Sequence, residues 1–328
     1  MLANNNIPAF NWTEWYEGVG GRTINIPDVE RIMNEIRNEQ APRFNGPVSS
    51  QKKIFNSPKE AAEHIKTKAK ELGADLVGVC EIEHSDLYEG KTTNEKYAIS
   101  IGGKMLYTNF TKVPSNQSAV ECVEVYHRLG EVVINLANYI RSIGYSCEVE
   151  HPVGDSNLLH IPVALKAGLG ELGRHGSIIN PKLGPLFRLG SVTTSIPMKI
   201  DQPIDAGIAA FCDNCKACRI YCPADAIPDE RDTSGKKDHL GNYLYKVDTG
   251  KCFPYFAKHE YCSACLPTCV YNHKDWATDF EGNKVKKYPD VIMEAPPKPF
   301  DGISANKRHE YPKFNRDKPK QYLPRNKK

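Results

Sequence analysis

Eight of the chain's 11 cysteines fall between Cys212 and Cys269, in two runs. The first is Cys212-x2-Cys215-x2-Cys218-x3-Cys222-Pro223; Cys252 follows, and then Cys262-x2-Cys265-x3-Cys269. Thiolates are soft ligands, and this spacing is the bacterial pattern for a pair of [4Fe-4S] clusters. Three close cysteines each hold a corner of one cubane, while the fourth cannot reach back and ligates the other. The expected ligand sets are Cys212, Cys215 and Cys218 with Cys269, and Cys252, Cys262 and Cys265 with Cys222. The chemistry implied is one-electron transfer through two neighbouring clusters. The second run is irregular, because Cys252 and Cys262 are separated by a wide gap. Cys252 is therefore expected to arrive from a loop. A structural zinc site would show two separated C-x2-C pairs instead. A disulfide framework belongs to small secreted chains, and this one has 328 residues.

The second informative stretch is 155–188, DSNLLHIPVALKAGLGELGRHGSIINPKLGPLFR. Gly168, Gly170, Gly173 and Gly176 allow sharp turns or close approach of backbone to a ligand. Gly168-x-Gly170-x2-Gly173 matches the dinucleotide fingerprint, but it neither follows a strand nor opens a long helix. A nicotinamide site is thus the weaker reading.

Composition bounds the remaining choices. With 40% hydrophobic and 25% charged residues the chain is an ordinary globular one, long enough for one or two domains. A net charge of +3 gives no ground for a nucleic-acid partner. No apolar run reaches the roughly 20 residues of a membrane span. The start, MLANNNIPAFNWTEWYEG, lacks a basic n-region, an apolar h-region and a twin arginine. A cytoplasmic location is expected, with an exported protein whose leader has been removed as the alternative. Cys80, Cys122 and Cys147 sit in apolar contexts and read as buried free thiols.

The elements that must position these residues are legible in outline. Residues 1–54 form an N-terminal arm with one short helix near 27–37. Ser57-Pro58-Lys59-Glu60 starts a helix, with Ser57 as N-cap and Glu60 closing a capping box. Residues 75–80, 97–101, 145–149 and 189–196 read as strands, and 118–143 as a long helix stopped by Gly144. A short helix is expected over 164–169. The β-α-β order implies an α/β layered core over 55–200. A ferredoxin-like segment (201–280) carries the clusters, with Tyr271, Asn272 and Trp276 placed to shield the first. Residues 281–328, rich in Pro, Lys and Arg, form a solvated extension or contact an acidic partner.

Taken together, the chain resembles the corrinoid iron–sulfur reductases, whose members are the reductive dehalogenases and epoxyqueuosine reductase. The matching residues are Leu72-Gly73-Ala74-Asp75-Leu76-Val77-Gly78, Tyr97-Ala98-Ile99 with Met105-x-Tyr107, and Ile140-Arg141-Ser142-Ile143-Gly144-Tyr145. They continue through His160-Ile161-Pro162-Val163-Ala164, then Ala167 to Gly176 with Arg174, then Gly184-Pro185-x2-Arg188, and the cysteine segment. The match covers roughly 55–275 and is closer to the dehalogenases.

The resemblance implies a nitroreductase-like α/β core cradling cobalamin and a ferredoxin-like insert with two [4Fe-4S] clusters. The corrinoid is expected base-off, since no D-x-H-x2-G motif occurs; Asp238-His239-Leu240-Gly241 has the wrong spacing. The backbone at Gly168, Gly170 and Gly173, with Arg174, would face it. Family dehalogenases use a tyrosine assisted by a basic residue. Tyr107 is the expected proton donor and Arg188 its partner, with Asp155 and His160 as further candidates. Each also has a structural reading: a backbone-bound tyrosine, an Arg188–Glu171 pair or a corrinoid contact, and packing roles for Asp155 and His160. The expected function is a corrinoid-dependent reductase removing halide from a small organohalide. Its electrons would come from a low-potential donor such as ferredoxin or flavodoxin. Cobalamin-dependent methyl transfer, with the clusters reactivating cobalt, and a corrinoid-bearing electron-transfer protein are the alternatives. A homodimer is compatible with the sequence.

Overall fold

Apolar residues alternate along the strands of the core, and both faces of the resulting sheet are covered by helices. The computed structural model of the protein describes residues 24–153, 156–238 and 240–272, together with the short backbone ladder Phe280–Glu281 and Lys284–Val285. The core elements are α1 (Pro27–Glu35), α2 (Pro58–Glu71), β1 (Leu76–Glu81), β2 (Tyr97–Lys104), α3 (Asn116–Ser142), β3 (Cys147–Glu150) and α4 (His160–Lys166). Two short strands, β4 (Glu171–Leu172) and β5 (Ile178–Ile179), precede β6 (Phe187–Thr194). The sheet runs β1-β2-β6-β3, and each neighbouring pair is antiparallel. None of the described helices is long and apolar enough to cross a membrane.

Register explains the layering. Val79 pairs with Ile99, which pairs with Val192, and this row packs against Ile65 and Ala69 of α2 and Val133, Leu136 and Ile140 of α3. One residue along, Cys80 and Ala98 face the opposite side and pack against Val163 and Ala164 of α4. Gly78 lies on that second face. A Cβ there would stand 2.1 Å from the Ala167 carbonyl oxygen, so only glycine lets the end of α4 lie on the sheet.

Local signals place the helix starts. Ser57 caps α2, accepting from the Glu60 amide at 3.1 Å. The reciprocal half of the expected box is shifted, however. The Glu60 carboxylate accepts from the backbone and side-chain amides of Asn56, both at 2.8 Å, rather than from Ser57. The long helix begins earlier than its apolar spacing implies. Ser115 is the N-cap, and Ser118 sits three residues in, its hydroxyl accepting from the Ser115 amide at 3.2 Å. The arm is built as an amphipathic strap. Ile26, Val29, Ile32 and Ile36 bury against Ala119 and Val123 of α3.

The cysteine segment carries α5 (Ile208–Asn214), α6 (Ala217–Ile220) and α7 (Thr249–Lys258). Cys252 lies in the first turn of α7, not in a loop. Asp248 caps that helix, accepting from the Lys251 amide at 3.1 Å, and so draws the residues before the wide gap into helical form. The arm reaches this helix as well: the Ile24 amide donates to the Ala257 carbonyl at 2.8 Å, and the Tyr261 hydroxyl to the Ile24 carbonyl at 3.1 Å.

The close approach at Gly78 has a measurable consequence. Gly78→Ala is expected to cost ~3 kcal/mol or more and to lower the melting temperature by roughly 5 °C or more. Gly46→Ala, whose Cβ would meet its nearest neighbour at 3.6 Å, should stay within about 1 kcal/mol of the parent. Thermal unfolding of the two variants side by side checks this; equal melting points would show that α4 is not seated on β1 as described.

Candidate functional site

The eight cysteines converge in two groups. Cys212, Cys215 and Cys269 share one apolar cluster with Phe211, Tyr245 and Tyr271, whereas Cys218, Cys222, Cys252 and Cys265 meet around Ala226 and Ile227. Electrostatic proximity sorts them further. Burial pushes the Cys218 thiol well above its ordinary range, and Cys212, Cys215 and Cys269 push it further. Burial does the same to Cys265, with Cys262, Cys222 and Cys252 adding to it. Cys262 is pushed up to about 12 by burial and then by Cys222 and Cys252, and Cys252 to about 11 by burial and then by Cys222. Cys218 therefore lies among Cys212, Cys215 and Cys269 electrostatically while packing with Cys222, Cys252 and Cys265 around Ala226 and Ile227. Cys265 is felt at both Cys218 and Cys269.

The chemistry of this donor set fits a pair of cubane clusters. All eight are free thiols. Among the described residues, no group of three or more His, Cys, Asp or Glu closes around a single metal ion. Cys215, Cys262 and Cys265 are half-buried.

Arg174 is wholly buried, at 0% exposure, and its guanidinium points into the first cysteine loop. Nε donates to the carbonyls of Cys212 and Cys215, both at 3.1 Å. Nη1 donates to those of Pro228 (3.0 Å) and Asp229 (2.5 Å), and Nη2 to those of Cys212 (2.5 Å) and Asp213 (3.3 Å). Its plane lies over Tyr245 at 4.1 Å. The expectation that Arg174 faces a corrinoid is therefore corrected: its donors are taken by the cysteine loop. The glycines before it are closely packed against other parts of the chain. A Cβ on Gly170 would stand 2.3 Å from the Ile179 carbonyl oxygen and one on Gly168 2.5 Å from that of Gln202; one on Gly173 would stand 2.5 Å from Ile179 Cδ1. Protein fills the space beside each.

Glu171, on the same segment, does not pair with Arg188. Its carboxylate accepts from the amides of Ala206 and of Ala209, the latter at 3.0 Å, fixing the approach to α5. Burial raises its pKa, and those same hydrogen bonds oppose the rise.

Arg188 lies on the α3 face of β6. Nη2 donates to the Cys122 sulfur at 2.8 Å, and the guanidinium sits 5.0 Å from the centre of the Tyr126 ring. Burial works against its charge, but Cys122 and Tyr126 outweigh that and hold its pKa above the ordinary value. Among the described residues no carboxylate pairs with it, and its buried Nε has no partner. Tyr107 opens a short 3-10 turn (Tyr107–Phe110) and packs into one apolar cluster with Met105, Cys122, Leu186, Cys262 and Cys265. Sequence reasoning missed Tyr126. The signal was available, since Tyr126 falls one helical turn after Cys122 on α3, but a tyrosine at helical spacing reads as core.

The remaining candidates are placed differently. His160 contacts the Ser191 hydroxyl through Nδ1 and the His151 carbonyl through Nε2, both at 3.2 Å, and burial brings it down to about 4. It is a neutral packing histidine on the α4 face, across the sheet from Arg188. Asp155 and Trp276 lie outside the described residues. Tyr271 meets Phe211 edge-on at 5.4 Å, and Asn272 donates to the Leu266 and Cys269 carbonyls at 2.7 and 2.9 Å. Cys80 behaves as the inert thiol expected, its pKa pushed up to about 12 by burial.

No protein-family model matches the chain. Sequence comparison aligns it with the tetrachloroethene reductive dehalogenase of Desulfitobacterium hafniense, 27% identical over 321 aligned positions, covering 78% of this chain and 58% of that protein. The Escherichia coli epoxyqueuosine reductase is 31% identical over 146 positions, covering 43% of this chain and 38% of that one. Among solved structures the catabolic reductive dehalogenase NpRdhA superposes with a TM-score of 0.67 at 28% identity, covering 75% of this chain and 37% of its own. The chain thus spans little more than half the length of the dehalogenase relative it matches. It is similar to the reductive dehalogenases over most of its length and to epoxyqueuosine reductase over a shorter part.

Proposed function

We propose that this chain is a corrinoid-dependent reductase. Two [4Fe-4S] clusters pass electrons from a small low-potential donor to a base-off corrinoid, and a small organohalide loses halide. One observation carries the reading: the thiols Cys262 and Cys265 pack into the same apolar cluster as Tyr107 and Cys122, and Arg188, bonded to Cys122, has no carboxylate partner among the described residues. An electron supply and a proton supply meet there.

When bound, the corrinoid supplies a strongly reducing, nucleophilic cobalt centre. Unpartnered buried polar atoms on the segments around the cysteines, Arg188 Nε, His175 Nε2 and Asn272 Oδ1, suit the amide-bearing rim of such a group. The chain's own task is to exclude water, hold the substrate and supply a proton. Tyr126 is a second candidate donor, because its ring lies beside the Arg188 guanidinium. Tyr107, packed beside Cys262 and Cys265, orients the substrate. A buried cation without a carboxylate also suits a departing halide.

Protein purified without oxygen should hold about eight iron and about eight sulfide per chain. Cys222→Ala should remove the cluster held by Cys262 and Cys265; loss of only the other cluster would show the interleaved ligation to be wrong. Low-potential donor should be oxidised in proportion to product, whereas methyl transfer would consume donor only for occasional repair. Turnover without donor oxidation therefore sinks the reductase reading.

Tyr126→Phe should lower turnover on the order of 10²-fold or more with corrinoid binding intact. Tyr107→Phe should cost less. The opposite ranking in steady-state kinetics would return the proton-donor role to Tyr107.

A further inference from the structure

The electrostatics of the two expected ligand sets turn on guanidinium groups without an ion-paired carboxylate. Arg188 stands beside the second, felt at Cys265. Arg174 stands inside the loop of the first, and its burial is the deeper. Every donor of its fork meets a main-chain carbonyl. Tyr245 closes one face of its plane, and the Tyr245 hydroxyl is itself tied to Asp213 at 2.6 Å. The neighbouring Arg231 differs, because its charge is answered by the Asp213 carboxylate at 2.5 Å. Arg219 is likewise answered by Asp225 at 2.7 Å. Among the described residues Arg174 forms no ion pair within 4 Å; the nearby Asp229 carboxylate is turned to Lys216 and Arg219, and the donors of Arg174 meet only main-chain carbonyls.

Reduction adds negative charge to an iron–sulfur cluster. A fixed cation close by, in a region without water to screen it, favours the reduced form and raises the potential. We propose that Arg174 sets the reduction potential of the cluster held by Cys212, Cys215, Cys218 and Cys269, holding it more positive than the loop alone would. The same fork ties the glycine-rich segment 168–176 to that loop, so one residue both docks the cluster segment and tunes it. This cluster then accepts electrons readily from a donor and keeps them available for the second. Arg174 acts through the cluster and not on substrate, which makes it a positioning residue.

The inference rests on the two-cluster reading, and iron analysis separates the two: a chain without iron fails that reading, not this one. The experiment is a redox titration of Arg174→Gln and Arg174→Lys followed by electron paramagnetic resonance. The cluster of Cys222, Cys252, Cys262 and Cys265 serves as internal reference. The first cluster's wave should move to more negative potential in both variants, further in Arg174→Gln than in Arg174→Lys, while the second stays in place. An unmoved first wave in a variant that holds both clusters overturns the proposal. Equal shifts in the two variants also overturn it, since loop geometry and not charge would then be responsible. Failure of both variants to assemble the first cluster does the same, leaving Arg174 a scaffold alone.

Discussion

A guanidinium buried without a carboxylate has to be satisfied by oxygen dipoles, and much of this structure depends on how that requirement is met at Arg174. Its flat fork cannot be served by a single acceptor. Carbonyls from two separate stretches, 212–215 and 228–229, must turn inward together. The cysteine loop is thereby held in one conformation before any metal binds. Glu171, a few residues earlier, fixes the approach to α5 through backbone amides. The glycine-rich segment is thus a hinge pin between sheet and cysteines, and its glycines are closely packed against other parts of the chain.

The chemistry follows from a similar constraint on the thiols. Cys218, Cys265 and Cys269, packed among other thiols in a low-dielectric interior, resist ionisation, and burial raises the pKa of each. In the proposed reading, iron would overcome that resistance and tie ligands from distant parts of the segment together. The arm extends the coupling. By bonding to Ala257 and Tyr261 while burying its apolar face on α3, it joins the helix that carries Cys252 to the helix that carries Cys122 and Tyr126.

The two faces of the sheet divide the labour. On the α4 side, His160 and Ser191 form a neutral hydrogen-bonded patch. On the α3 side, Arg188 carries a charge and donates to the Cys122 sulfur. Adjacent positions of β6 point to opposite faces, so a shift of one residue would exchange these roles.

What the sequence determined by itself is what depends on short chain separations. Ligand spacing within a run is set by the reach of a few residues around a cubane, so two ligand sets could be expected before any fold was known. Helix ends at Ser57 and Gly144 were legible for the same reason, since caps and left-handed turns are local. What only the tertiary structure decided depends on contacts between distant segments. The antiparallel order of the sheet, the helical setting of Cys252 and the placing of Tyr126 beside Arg188 are of this kind. So is the direction of Arg174 toward carbonyls some 40 to 55 residues away in sequence. A buried cation seeks whichever oxygen dipoles packing brings to it, and no local pattern names them.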